Sequence, residues 1–191
     1  MVDWSNRDAD WVSVREAVER GLAAVTPLEP EEVALEDALG RTLAEDAVSP
    51  IDQPPWDNSA MDGYAARAAD VERASADAPV RLRVVDDVPA GGFPSRAIGP
   101  GEAARIMTGA PTPEGADSVV RVEHTDAGED VVAIRKERDA GANIRARGED
   151  LRVGAVAVPA GTALSPAALG VLATVGVASP RVVRRPVVAI L

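Results

Sequence analysis

Cysteine is absent from this chain, and histidine and lysine each occur only once. Without cysteine there is no disulfide, no thiolate nucleophile and no metal site built on thiolates. His124, the only histidine, lies in an alternating pattern typical of a strand. Having one histidine in such a position excludes most Ser-His-Asp schemes, and a hydrogen-bonded or exposed strand residue is the ordinary interpretation.

Long apolar runs are also absent, although 46% of the 191 residues are apolar. No run approaches the roughly 18 consecutive apolar residues of a membrane span. The N-terminal stretch "MVDWSNRDADW" is acidic and lacks the apolar centre of a signal peptide. We therefore expect a cytoplasmic protein.

Positive charge is scarce, since 31 acidic residues face 20 basic ones and the formal net charge is -11. Nucleic acids and anionic membranes require a basic face, so neither is expected as a partner. Lys136 is the only lysine. Two explanations stay open for this depletion: adaptation to a high-salt cytoplasm, and a GC-rich genome that favours arginine.

The N-terminal part has the periodicity of a helix. Ser13 and Glu16 match the S-x-x-E capping box that begins many helices. Apolar residues then recur at helical spacing and are predicted to face the core; they are Trp11, Val14, Val18, Leu22 and Val25.

Two further helices are predicted. One spans about 31–39, with Gly40 where a left-handed C-cap residue would lie. The other begins after Ser165, a good N-cap followed by a proline, and ends at Gly176.

Between residues 51 and 160 the helical spacing disappears. Alternating runs at 80–85, 116–124 and 130–137 are separated by loops rich in Gly, Pro and Asp. This pattern is typical of a β-barrel or sandwich, and the simplest arrangement is a β domain inserted into a helical one. Residues 187–191 read "VVAIL" and resemble a buried parallel strand, which predicts the first strand of a further domain.

Two polar blocks could simply form turns. In "WDNSAMDGY", the common turn residues are Asp57, Asn58, Ser59 and Asp62, and on composition alone the turn is the better interpretation. In "RIMTGAPTPEGAD", an anion could be held by a hydroxyl and the successive backbone N–H groups of Thr108, Gly109 and Ala110. A Gly-Pro-rich connection between strands is the alternative, and taken by itself it is favoured.

A third polar block, "NIRARGEDL", places arginines beside carboxylates. Arg145 and Arg147 precede Glu149 and Asp150. The ordinary interpretation is a local surface cluster of ion pairs that contributes little stability.

Taken together and in this order, the blocks resemble the MoeA-type molybdopterin molybdenumtransferases, whose eukaryotic relatives include the E domain of gephyrin. The resemblance covers nearly the whole chain and rests mainly on "DNSAMDGYA", "IMTGAPTPEGAD" and "RGED". It implies an α+β, predominantly β fold, in which a β-barrel-like domain is inserted into an elongated, helix-containing domain. The expected division is 1–50 plus 143–180 for domain I, 51–142 for the inserted β domain II, and 181–191 for a linker and the first strand of a missing pterin-binding domain.

The resemblance also implies an activity in molybdenum cofactor biosynthesis. The enzyme would insert molybdate into the dithiolene of adenylated molybdopterin, with Mg²⁺ and loss of AMP, and would be a homodimer. The small-molecule partners would be the pterin nucleotide and molybdate, and the choice between molybdenum and tungsten stays open. A non-catalytic dimerisation or scaffold fragment of the same family is the alternative.

The family's site residues transfer to matching positions here. The resemblance implies that Asp62, Thr108 and Asp150 are catalytic, with Asp62 and Asp150 as Mg²⁺ ligands. Anion binding or support of these groups is expected from five neighbours: Asn58, Ser59, Gly109, Arg147 and Glu149. Trp56 and Tyr64 are expected to pack the loop or a dimer seam.

Overall fold

The computed structural model describes residues 12–190, and this part of the chain is predominantly β with few helices. The helices are α1 (Val14–Ala23), α2 (Ala68–Val71) and α3 (Pro166–Thr174). The strands are β1 (Pro30–Glu32), β2 (Ala47–Val48), β3 (Asn58–Ser59), β4 (Gly63–Ala66), β5 (Val80–Val88), β6 (Glu102–Ile106), β7 (Ser118–Arg121), β8 (Val131–Ile134), β9 (Ile144–Arg145), β10 (Val156–Val158) and β11 (Arg181–Val183). Within residues 12–190, no helix is both long and apolar enough to cross a membrane.

The chain divides into two units, one formed by residues up to Ala47 and from Val158 onward, the other by Val48–Ala157. The predicted boundary at 142/143 is therefore misplaced. Residues 143–157 belong with the second unit because their backbone is hydrogen-bonded to 49–59, for example through the antiparallel pairing of β3 with β9.

The first unit has a small aliphatic core. Strands β1 and β11 pair antiparallel, and helix α3 supplies Leu172 to the buried cluster, together with Leu43, Leu164 and Val182. Helix α3 begins and ends as predicted: the Ser165 side chain accepts a hydrogen bond from the N–H of Ala168, and Gly176 has a φ of 81°.

The second unit is built on a five-stranded sheet in the order β7-β4-β6-β5-β8. Only β5 and β6 pair in parallel. Successive residues of β4 enter different cores: Tyr64 and Ala66 join one buried cluster and Ala65 another. This alternation is the period of two expected for a strand, and it shows that both faces of the sheet are covered.

Helix α1 forms as predicted but is not buried. Ser13 caps it by accepting from the N–H of Glu16, which supplies one half of the capping box. None of its residues is buried, and Val14 and Leu22 are 85% and 69% exposed. The prediction that Val14, Val18, Leu22 and Val25 face the core is therefore wrong, because no described element covers that side of the helix; Trp11 lies outside the described residues.

Two other predictions of secondary structure are corrected. The helix expected at 31–39 is replaced by β1 and a short 3₁₀ turn, Leu35–Asp37, because β1 pairs with β11 and tertiary pairing overrides local propensity. Gly40 nevertheless has the expected positive φ of 72°. The strand predicted at 187–191 is absent over 187–190, because nothing in the described chain pairs with these residues; Leu191 lies outside the described residues.

His124 lies in a 3₁₀ turn that follows β7, not in a strand. It is buried and its Nδ1 donates to Asp139 Oδ2 over 2.7 Å. Arg121 approaches the same carboxylate, with Nη2 donating to Oδ1 over 2.9 Å and both Nε and the backbone N–H donating to Oδ2 over 3.2 Å. The single histidine is thus a hydrogen-bonded structural residue.

Asp139 is the carboxylate of this cluster, and its side chain is only 1% exposed. Burial raises its pKa, but the hydrogen bonds from Arg121 and His124 outweigh that effect and leave the pKa below the usual 3.8. A carboxyl whose pKa is lowered by folding stabilises the fold above its unfolded-state pKa, and this contribution is lost as the pH falls through the folded-state pKa.

We expect Asp139→Asn to lower the free energy of unfolding at pH 7 by about 1–3 kcal/mol, because it removes the charge of a buried carboxylate that accepts hydrogen bonds from the partly exposed Arg121 and from His124. Urea unfolding monitored by circular dichroism measures the effect. Asp77→Asn is the matched control, because it removes the same charge from an exposed position.

The pH dependence provides a second check. The stability difference between the wild type and Asp139→Asn should be largest at neutral pH and should shrink as the pH falls below about 4. An unchanged difference at pH 3, or equal effects of Asp139→Asn and Asp77→Asn at pH 7, would contradict the assignment.

Candidate active site

The segment 53–65 is hydrogen-bonded to two other polar segments of the second unit. On one side Asn58 and Ser59 pair with Arg145 and Ile144 through β3 and β9. On the other side the Ser59 N–H donates to Ala110 O over 3.0 Å. The three polar blocks that are far apart in the sequence are therefore neighbours in one unit.

Asp62 and Thr108 are in direct contact. Asp62 Oδ1 accepts two hydrogen bonds of 2.7 Å, one from the Thr108 N–H and one from the Thr108 hydroxyl. These two bonds, that of the backbone N–H first, lower the pKa of Asp62 below 3.8, so the exposed carboxylate stays ionised at neutral pH. Its second oxygen, Oδ2, has no hydrogen bond within the described residues and can bind a ligand.

Gly63 follows Asp62 at the start of β4 and has a steric reason to be glycine. A Cβ at this position would lie 2.0 Å from the carbonyl oxygen of Val120 on β7. Strand β4 can pair with β7 only because position 63 has no side chain. The sheet therefore requires Gly63, independently of any role of Asp62.

The anion cradle predicted around Gly109 is not formed. The Gly109 N–H donates to Ser59 O over 2.8 Å, and the Ala110 N–H donates to Met107 O over 3.0 Å. Since the Thr108 N–H and hydroxyl bind Asp62, all three consecutive N–H groups are already occupied by protein acceptors. Gly109 instead contributes a backbone turn with a φ of 84°.

Asn58 and Ser59 do not fix the aspartates, contrary to expectation. Both are buried; the Ser59 hydroxyl donates to Met61 O over 2.5 Å and so closes a local turn. Asn58 Nδ2 approaches Trp56 O at 3.4 Å, while its buried Oδ1 has no hydrogen-bond partner in the described part of the chain. Their short side chains are used within the loop, and Asp62 is held by Thr108.

Arg147 connects the "RGED" segment to the loop before β3. Its Nε donates to Asp52 Oδ2 over 2.6 Å, and its N–H donates to Asp57 Oδ1 over 2.7 Å. The Val153 N–H and the guanidinium of Arg147, in that order, lower the pKa of Asp52. The predicted cluster with Glu149 and Asp150 does not form, because the guanidinium reaches across to Asp52.

Glu149 and Asp150 occupy the turn after Arg147. Glu149 Oε2 accepts from the Ala146 N–H over 2.9 Å and closes this turn. The Asp150 N–H donates to Gln53 O over 3.0 Å, and its exposed carboxylate makes no hydrogen bond within residues 12–190. The hydrogen bonds of Asp62 and Asp150 thus lead to different loops, and the structure does not join the two side chains.

The aromatic residues of the loop have separate roles. Tyr64 is a buried residue of β4 whose hydroxyl donates to Gly128 O over 3.0 Å, so it packs in the core of the sheet and not in the loop as expected. Trp56 is partly exposed and meets Phe93 edge to face, with 5.0 Å between ring centroids. A role for Trp56 in a dimer seam remains a prediction.

Two cavities adjoin these groups. The larger has a volume of about 360 Å³ and is lined by the two Pro-rich loops, with Asp57 and Arg147 at its wall. The smaller, of about 180 Å³, is lined by Asp62, Gly63, Tyr64, Arg105, Met107 and Val122. Within the described part of the chain there is no cluster of three or more potential His, Cys, Asp or Glu metal ligands.

Sequence reasoning missed Asp52 and Arg105, and it considered Asp57 only as a turn residue. Asp52 and Asp57 anchor Arg147 from positions 95 and 90 residues away, and no spacing in the sequence indicates such a contact. Arg105 had a signal: it is the charged residue that immediately precedes the "IMTGAP" block on β6.

The chain is similar to known proteins over most of its length. The family model described as the MoeA N-terminal region (domain I and II) matches residues 12–176. The molybdopterin molybdenumtransferase of Bacillus subtilis is 44% identical over 184 residues, covering 94% of this chain and 43% of the relative. That of Synechococcus elongatus is 46% identical over 168 residues, covering 86% of this chain and 42% of the relative.

A solved structure, the molybdopterin biosynthesis moeA protein of Pyrococcus horikoshii OT3, superposes with a TM-score of 0.84 at 35% identity. The match covers 90% of this chain and 46% of that structure. The chain thus spans less than half the length of the relatives it matches. It belongs to the family of the MoeA N-terminal region.

Proposed function

We propose that this chain is the N-terminal part of a cytoplasmic enzyme of molybdenum cofactor biosynthesis, which inserts molybdate into adenylated molybdopterin with release of AMP. The observation that carries the proposal is the Asp62–Thr108 pair: an ionised, exposed carboxylate held at one oxygen and open at the other. The names of the Bacillus and Synechococcus relatives support the reaction class. We also propose that the β unit is barrel-like and inserted into domain I.

The donor set fits a magnesium ion. Mg²⁺ is commonly bound through one or two carboxylates, with water and substrate phosphates completing its octahedron. Asp62 offers Oδ2, and Asp150 offers an exposed carboxylate; both are hard oxygen ligands. When bound, the ion would polarise the phosphoanhydride and screen its charge.

The chain's own residues would orient the reacting groups. Thr108 fixes the carboxylate of Asp62 through both its hydrogen bonds, which prevents rotation of the carboxylate away from its position. Asp52 and Asp57 fix the "RGED" turn through Arg147, and the Gln53 carbonyl oxygen holds the Asp150 N–H. Such preorganisation reduces the rearrangement that substrate binding requires.

A homodimer is part of the proposal, and α1 supports it. The helix exposes Val14, Val18 and Leu22, with Val25 just beyond its end; all four are more than half exposed. Covering such a stripe with a second copy would remove apolar surface from water. The same feature favours the alternative function, a dimerisation or scaffold module that does not itself catalyse the reaction.

We expect Asp62→Asn, Thr108→Ala and Asp150→Asn, each in the full-length enzyme, to reduce cofactor formation by about 10²-fold or more. Turnover of adenylated molybdopterin with molybdate is measured over a range of Mg²⁺ concentrations, and melting temperature is measured in parallel. Asp77→Asn is the control.

The two interpretations of these residues differ in outcome. If these residues only form turns, their substitution would lower the melting temperature and leave the activity per folded molecule near normal. Full activity with unaltered Mg²⁺ dependence in Asp62→Asn and Asp150→Asn would refute the metal-ligand assignment.

We expect the 191-residue chain alone not to convert adenylated molybdopterin to active cofactor. The chain corresponds to about 43% of the Bacillus relative, and catalysis by positioning requires the complete site. Incubation of the purified chain with molybdate and Mg²⁺ tests this, with the full-length Bacillus protein as the positive control. Turnover by the chain alone would show that the expectation is wrong.

We expect Val18→Glu and Leu22→Glu to abolish self-association while the monomer keeps its melting temperature, because both side chains are exposed in the isolated chain. Sedimentation velocity over a range of protein concentrations measures association. Glu19→Gln, on the charged side of α1, should associate like the wild type. Equal association of all four proteins would exclude α1 from the interface.

A further inference from the structure

Arg105 is a cationic residue that lines the same cavity as Asp62, and its side chain has no partner among residues 12–190. It lies on β6, directly opposite Tyr64 of β4 in the antiparallel register. Its side chain and Asp62 line the same cavity of about 180 Å³. The cavity therefore carries one fixed negative charge and one positive charge on its wall.

The guanidinium of Arg105 is free although acidic residues are near. Asp87 is its partner in the register of β5 and β6, yet within residues 12–190 no ion pair or hydrogen bond involves the Arg105 side chain. By contrast, Arg83 of the same sheet pairs with Glu102, and Arg121 with Asp139. Arg105 thus keeps all its donors available for a ligand.

The size of the cavity restricts the ligand. A water molecule occupies about 30 Å³ in the liquid, and pockets for whole drug-sized ligands measure about 300–1,000 Å³. A volume of about 180 Å³ therefore suits one tetrahedral oxyanion with part of its hydration shell, and not an entire pterin nucleotide.

The neighbouring groups make Arg105 suitable for this role. Asp62 Oδ1 accepts its hydrogen bonds from Thr108, and within residues 12–190 Asp62 forms no ion pair with Arg105. Tyr64 is fixed by its hydrogen bond to Gly128 O, which gives the cavity a rigid wall. A planar guanidinium binds phosphate-like oxyanions through two parallel hydrogen bonds and offsets the repulsion that a bare carboxylate would exert on them.

We infer that Arg105 binds a tetrahedral oxyanion of the substrate, a phosphate group or molybdate, in the cavity beside Asp62. The inference rests on the proposed function, because it assigns the anionic part of the substrate to the same site. Asp62 would bind the cation that accompanies this anion, and Arg105 would bind the anion itself.

Isothermal titration of the 191-residue chain with pyrophosphate and, separately, with molybdate tests the inference, each with and without Mg²⁺. The proteins are the wild type, Arg105→Gln, Arg105→Lys and the control Arg81→Gln. Arg81 is an exposed arginine of β5 in the same sheet that does not line the cavity, so its replacement changes the net charge equally.

We expect Arg105→Gln to weaken binding of one anion at least about tenfold, as loss of a charge-assisted pair of hydrogen bonds predicts. Arg105→Lys should retain part of the affinity, and Arg81→Gln should bind like the wild type. The anion whose binding is weakened by Arg105→Gln identifies the ligand of Arg105 as a phosphate group or molybdate. Circular dichroism verifies that each variant is folded.

Two results would overturn the inference: no measurable binding of either anion by the wild type, or equal losses in Arg105→Gln and Arg81→Gln. The assay needs no turnover, so it is separate from the proposed function. A full-length enzyme that is inactive on adenylated molybdopterin would refute the function, whereas Arg105-dependent anion binding would still stand.

Discussion

The close approach of β4 to β7 at Gly63 is the constraint on which the second unit depends. Strand β4 is only four residues long and fully buried, and it lies between β6 and β7 in the sheet. A side chain at position 63 would collide with the carbonyl oxygen of Val120, so any substitution would separate the two strands. Because Asp62 immediately precedes this strand, the same packing places its carboxylate at the end of the sheet where β4 begins, and there Thr108 binds it.

Most of the polar backbone groups in the loops around Asp62 are already hydrogen-bonded within the protein. The N–H groups of Thr108, Gly109 and Ala110 have protein acceptors, and the "RGED" turn is held by the loop of Gln53. The loops are therefore rigid through backbone hydrogen bonds, while recognition of a ligand is left to side chains. Asp62 and Arg105 are the charged residues among those that line the smaller cavity.

Local signals in the sequence predicted those structural features that are determined by residues close together in the chain. The N-cap at Ser165, the turn at Gly40 and the alternating strand runs are set by a few consecutive residues, and each is confirmed. The predictions that α1 is buried and that 31–39 forms a helix were wrong, because both features depend on which distant element packs alongside. The contact of Arg147 with Asp52 joins residues 95 apart, and no periodicity encodes it. The site residues could be named only because the motifs resemble a known family.

Helix α1 has an energetic consequence beyond its exposed stripe. It has ten residues and no buried side chain, so its local stabilisation comes from the Ser13 cap and the two i,i+4 ion pairs, Arg15–Glu19 and Arg20–Glu16. Isolated helices shorter than about 12–15 residues are marginal in water, and each such pair adds only about 0.5 kcal/mol. Its amides should therefore exchange with solvent nearly as fast as those of a free peptide. Any partner that covers the apolar stripe would slow this exchange, which couples helix formation to association.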